Sequence, residues 1–154
     1  MKRIIVLVCL IVCMCTQLAY ADKKEKVNDN WSIVCVSDSV NGEKIHYIET
    51  LGKHMDKNGH VFGNKQLIIR VYKSGNHYYI VIPNNDFPGR EPVVIIDDNH
   101  AMTLSSIDNN TTIVRQLIGA KTAQIDYNQL PYGARHMVVD VRGFDKAFGL
   151  LMAK

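Results

Sequence analysis

The chain has 154 residues, a formal net charge of +3, and 47% hydrophobic and 8% aromatic residues. That length and apolar content suffice for one domain with a real core, and no low-complexity tract interrupts it. The charge is small and partly carried by Lys2 and Arg3, so the chain has no general electrostatic claim on nucleic acid or on an anionic membrane.

In chain order, the first predicted segment is a signal peptide over residues 1–21. Met1-Lys2-Arg3 is its basic start, Ile4 to Cys15 its apolar run, and Ala19-Tyr20-Ala21 its small-residue cleavage site. The run is shorter than the roughly 20 residues of a spanning helix. The polar stretch from Asp22 to Lys26 that follows also argues against a retained anchor. Cleavage after Ala21 removes Cys9, Cys13 and Cys15 and leaves Cys35 alone, so the mature chain has no intramolecular disulfide. Cys35 is expected to be a buried, inert thiol, with an intermolecular disulfide as the alternative.

Residues 22–30 are polar and charged and are expected to be a flexible N-terminal segment, followed by a single β-rich domain over 31–154. Trp31 to Val36 predicts a strand with Trp31, Ile33 and Cys35 on one face. Asp38 to Gly42 carries hairpin-turn chemistry, Lys44 to Leu51 reads as the returning strand, and Gly52 to Asn64 as a loop. Gln66 to Tyr72 and His77 to Ile82, joined by Lys73 to Asn76, form the clearest hairpin. Asn84 to Pro92 is a proline- and glycine-containing surface loop. Val93 to Ile96 is a short apolar strand, Asp97 to His100 a turn, Ala101 to Ile107 a further strand, and Asp108-Asn109-Asn110 a turn. Thr111 to Gly119 fits either a strand or a short helix. Thr122 to Tyr127 and Arg135 to Val141 read as strands separated by a turn at Leu130 to Gly133. Gly143 to Ala153 reads as a terminal helix with Phe144, Ala147, Phe148 and Leu151 at helical spacing. The fold class is mainly β: an antiparallel β-sandwich or barrel-like domain with one or two short helices.

Chemistry is sparse. His54 and His60 match no compact metal-ligand spacing. Asp97-Asp98-Asn99-His100 gathers acid–base groups but lacks the spaced oxygens of a calcium loop and fits an ordinary turn. No phosphate loop, dinucleotide fingerprint or nucleophile elbow occurs. No catalytic, cofactor-binding or metal-ligating residue is therefore assigned, no cofactor is expected, and the binding residues are unknown. The His100–Asp97 and His136–Asp140 pairs are the acid–base candidates of a competing small hydrolase. The Tyr72 to Tyr79 stretch is either a core hairpin or a docking surface, and Gly89-Arg90-Glu91 is a loop candidate for partner contact. Asn30-Trp31-Ser32 and Asn110-Thr111-Thr112 fit the glycosylation acceptor pattern.

Several segments together carry a resemblance. They are Asp29 to Cys35, the hairpin Leu67 to Ile82 ending at a proline, Val93 to Asp98, and Val141-Arg142-Gly143-Phe144-Asp145-Lys146-Ala147-Phe148. In these the chain resembles the bacterial invasion-associated locus B family of exported proteins. The resemblance implies a periplasmic or outer-membrane-associated β protein, linked in some members with host-cell entry, and transfers no catalytic residue. The family's further cysteines are missing here, so its disulfide bracing does not carry over.

The expectation is an exported, non-enzymatic protein that binds a protein or an envelope component, with no nucleic acid partner and no integral membrane segment in the mature chain. A periplasmic hydrolase, or an enzyme inhibitor presenting the Asn84 to Pro92 loop, is the alternative.

Overall fold

The structure, a computed structural model, describes residues 23–38, 42–56, 58–83, 85, 91–97, 99–129 and 133–154. The predicted signal peptide and most of the Asn84 to Pro92 loop lie outside the described residues. The described chain forms nine strands and two helices. The strands are β1 (Lys23–Lys26), β2 (Trp31–Ser37), β3 (Lys44–Met55), β4 (Val61–Ser74), β5 (His77–Val81), β6 (Val93–Ile96), β7 (Met102–Thr103), β8 (Thr122–Gln129) and β9 (Gly133–Asp140). The helices are α1 (Ile107–Leu117) and α2 (Phe144–Met152).

Every strand pairing is antiparallel. One sheet runs β1-β2-β3-β9-β8-β6-β7, with β4 paired to β3 and β5 paired to β4; it does not close into a barrel. β3 joins the two halves. Its residues Lys44 to Thr50 pair with β2, whereas Lys53 and His54 pair with Val138 and Met137 of β9. Register irregularities after Thr50 and after Gly52 re-aim the strand between these partners.

Strand alternation builds the core. Ile33, Ile48, Val71 and Ile80 lie in one cross-strand row, and Val94, Ile125 and Met137 in another. All seven are buried in a single cluster with Trp31, Val139 and Val141 and with the apolar faces of both helices. Ile113, Val114 and Leu117 supply the face of α1, and Phe144, Ala147 and Leu151 that of α2. The predicted inward stripe Met137-Val139-Val141 is thus fully buried.

Gly143 starts α2 at φ +80°, and a Cβ there would come within 2.5 Å of the Asn28 amide. That amide donates to the Gly143 carbonyl at 3.1 Å and so ties the β1–β2 turn to the helix. A side chain at this position meets both a backbone and a steric objection.

Four expectations need correction. Residues 23–26 of the supposed flexible segment form edge strand β1. The supposed loop Gly52 to Asn64 is mostly strand: β3 runs on to Met55 and β4 begins at Val61. The turn between them is closed by Asp56, whose carboxylate accepts the Asn58 and His60 amides at 2.8 Å each. Hydrophobic alternation hides this extension because most of its described side chains are exposed. Ala101 to Ile107 yields only the two-residue β7. Asp108 to Asn110 is the first turn of α1, not a loop. Ser106 caps that helix by accepting the Asn109 amide at 3.1 Å, and burial of Ile113, Val114 and Leu117 outweighs the β preference of Thr111 to Val114. The segment left open between strand and helix, Thr111 to Gly119, is therefore helix as far as Leu117.

Candidate functional site

The strands of the first half also carry apolar side chains on the side away from the core. Antiparallel register aligns Lys24, Val34, Tyr47, Tyr72 and Tyr79 across β1 to β5, and next to them Lys26, Ser32, Glu49, Arg70 and Val81. Tyr47 and Tyr72 meet at 4.8 Å between ring centroids, and the Arg70 guanidinium sits 5.0 Å over the Tyr47 ring. Glu49 anchors this layer: its carboxylate accepts from Lys24 Nζ at 2.7 Å and Arg70 Nε at 3.2 Å. Val34, Tyr47 and Glu49 are buried beneath their neighbours, while Ile45, Leu51, Tyr79 and Val81 are each about 40% exposed. A sheet face with only solvent to meet is ordinarily polar. This one combines tyrosine, arginine and aliphatic groups, the composition enriched at protein interfaces.

The predicted docking stretch Tyr72 to Tyr79 thereby divides. Tyr72 and Tyr79 belong to this outer face. Tyr78 turns inward, where its ring stands 5.2 Å from Phe148 and its hydroxyl donates to Met152 Sδ at 3.5 Å.

Open edges are the other docking route in a β protein, and here those at β1, β7 and β5 are blunted. β1 is Lys-Lys-Glu-Lys and wholly exposed. β7 has two residues. On β5 the Ile80 amide donates to Asn110 Oδ1 of α1 at 2.7 Å.

A second feature lies at the far end of the sheet. An open cleft of about 650 Å³ is lined by His54, Met55, Asp56, Gly59, Ala134, Arg135 and His136. Next to it a second open cleft of about 640 Å³ shares Ala134, Arg135 and His136. His136 Nδ1 pairs with Asp126, directly opposite it on β8. The expected partner, Asp140, instead takes the Arg142 guanidinium. A carboxylate-fixed imidazole can move a proton; among the described residues the lining of the first cleft offers no hydroxyl or thiol, whereas that of the second includes Thr103 and Tyr127.

His54 is buried in β3, whereas His60 is an exposed histidine of the turn, its ring on Asp56 at 3.2 Å. Among the described residues no three His, Cys, Asp or Glu side chains gather as metal ligands.

Asp97 does not serve His100. It stands at φ +47° and accepts the Thr122 amide at 2.8 Å, the Lys121 amide at 3.1 Å and the Thr122 hydroxyl at 3.1 Å. The Thr122 amide, followed by that of Lys121, holds its carboxyl below the ordinary 3.8. A lowered carboxylate stabilises the fold fully above its unfolded pKa, and that contribution disappears as pH falls through the folded value. The Asp97→Asn variant is therefore expected to be less stable than the parent at pH 7 and to approach it below pH 3.8, as read from urea midpoints at the two pH values. A gap that persists at acid pH would show that the charge is irrelevant.

Cys35 is half-buried, not enclosed as expected, because β2 lies near the sheet edge under the exposed β1. The register places His46 directly opposite it, and both line a pocket of about 190 Å³. The loop candidates Gly89 and Arg90 lie outside the described residues. Among the described residues no helix is long and apolar enough to cross a membrane. No protein-family model, curated protein or solved structure matches the chain.

Proposed function

We propose that this chain is an exported, non-enzymatic binding protein that engages a protein partner through the outer face of β2 to β5. The observation that carries the reading is the outward row Tyr47-Tyr72-Tyr79 with exposed Ile45, Leu51 and Val81 beside it. Aromatic and arginine side chains on a pre-ordered sheet lose little freedom on binding, and they dominate interface energetics. The sequence resemblance to the invasion-associated locus B family belongs to the same proposal and puts the partner at a host-cell or envelope surface.

The test is affinity capture from envelope and host-cell lysates by the chain from Asp22 onward, run beside a Tyr79→Asp, Val81→Asp double variant. Both positions are solvent-facing, so the fold is expected to be retained. A saturable protein partner lost at least thirtyfold in affinity by the variant, about 2 kcal/mol, supports the reading. A partner held equally well by both chains removes the face from the proposal, and no retained protein removes the binding function.

A second reading, a small hydrolase, is favoured only by the Asp126–His136 contact beside the clefts. An ester or amide substrate turned over by the parent and not by His136→Gln would establish it.

A further inference from the structure

β1 differs in kind from the other strands. All four of its side chains are exposed, and none joins the core. Among the described residues its tertiary ties are a four-residue ladder with β2 and the ion pair from Lys24 to Glu49. The strand beneath it, Trp31-Ser32-Ile33-Val34-Cys35-Val36-Ser37, is apolar on both faces. β1 covers only Ser32 to Cys35 of that edge.

The ion pair reaches across β2 to a side chain on β3. The Glu49 side chain is 8% exposed, whereas that of Lys24 is 51% exposed. A carboxylate so enclosed requires cations; Arg70 supplies one from within the sheet, and Lys24 supplies the other from the edge. An extended segment that buries no side chain and places one charge on an enclosed acceptor behaves as a guest. Its ladder provides pairing and its lysine provides selectivity. Elements with so little buried contact are the first to open.

We propose that the β2 edge, backed by Glu49, is a recognition site for an extended basic segment of a partner protein, and that β1 is its resident, self-inhibiting occupant. A partner segment fits if it runs antiparallel to β2 and sets a lysine or arginine opposite Val34, where Lys24 now stands. It gains over β1 by continuing along Val36 and Ser37. The site shares the Glu49 layer with the outer face but takes its backbone pairing from the β2 edge, which the outer-face reading does not use.

The test uses the full chain and a fluorescently labelled peptide of its own residues Asp22 to Val27. Lys24→Glu turns a carboxylate toward Glu49 and frees the edge. This variant is expected to bind the peptide at least tenfold more tightly than the parent, while the same peptide carrying Lys24→Glu binds neither chain. Lys23→Cys places a thiol opposite Cys35 in the ladder; once oxidised, it locks β1 and is expected to abolish peptide binding until reduced. In the parent, the β1 amides are expected to exchange with solvent at least a hundredfold faster than those of Ile48 to Thr50. Equal binding of the two peptides, equal binding by the locked and reduced chains, or β1 protection equal to that of β3 would overturn the proposal.

Discussion

Replacing Trp31 by alanine is expected to destabilise the domain by about 3–5 kcal/mol, the usual cost of emptying a large aromatic site. Against a total of roughly 5–15 kcal/mol for a domain, that is enough to leave a substantial unfolded fraction. Trp31 is wholly buried where β2 meets α2. Its ring stands edge-on to Phe144 at 5.1 Å, and its indole N–H donates to the Val141 carbonyl at 3.1 Å. One side chain thus joins the start of the sheet to the loop between β9 and α2, some 110 residues later. Trp31→Phe keeps most of the apolar contact and loses the donor, so its expected cost is about 1–3 kcal/mol. Trp31 is the chain's only tryptophan, so both variants are followed by far-ultraviolet circular dichroism in urea. A shift below about 1 kcal/mol for the alanine variant would show that the site collapses without loss.

Trp31 was legible in the sequence because a lone tryptophan opening an alternating run has one natural place, the core face of a strand. The same logic located the β4–β5 hairpin, where Gly75 supplies the φ of +57° that the turn requires, and the inward stripe of β9. Alternation fails where both faces of a strand are apolar. In β3, Ile48 faces the core while Ile45, Tyr47 and Leu51 face away from it. The residues identify a strand without revealing that its outer side is also dressed for contact.

The paired side chains were hidden for a different reason. Lys24 with Glu49, Cys35 with His46, and Asp126 with His136 are set by strand register, which depends on the lengths of the intervening turns. Counting four residues along β9 correctly puts His136 and Asp140 on one face, yet the nearer neighbour of a strand residue is the one across the ladder. Arg142, just past the strand end, claims Asp140.

Asn110 shows how local preference misleads most, and its replacement is the other large expected effect. As part of Asp108-Asn109-Asn110 it has the composition of a turn, and with Thr111-Thr112 that of a glycosylation site. In the fold it is 6% exposed in α1, and both ends of its amide are used. The carbonyl accepts the Ile80 amide at 2.7 Å, and the nitrogen donates to the carbonyls of Ser106 at 2.7 Å and Leu104 at 3.3 Å. Asn110→Ala strands one buried donor and weakens two acceptors, at an expected cost of about 2–4 kcal/mol in urea unfolding. Asn110→Asp keeps the acceptor for Ile80 but turns a buried negative charge toward two carbonyl oxygens, and is expected to cost at least as much. Were Asn110→Asp as stable as the parent, the amide could not be donating as described. The same geometry is incompatible with a glycan, because the nitrogen that would carry it is enclosed and already donates twice; chain that reaches this fold in a eukaryotic secretory host is expected to carry Asn110 unmodified, as read by peptide mass. The loss in Asn110→Ala also has a location. Ile80 lies on the outer edge of β5, so the variant exposes an unpaired amide there, and hydrogen exchange at Ile80 is expected to accelerate more than at Val71, its partner in the ladder. An asparagine that resembles a turn residue thus closes one edge of the sheet, as the lysines of β1 close another.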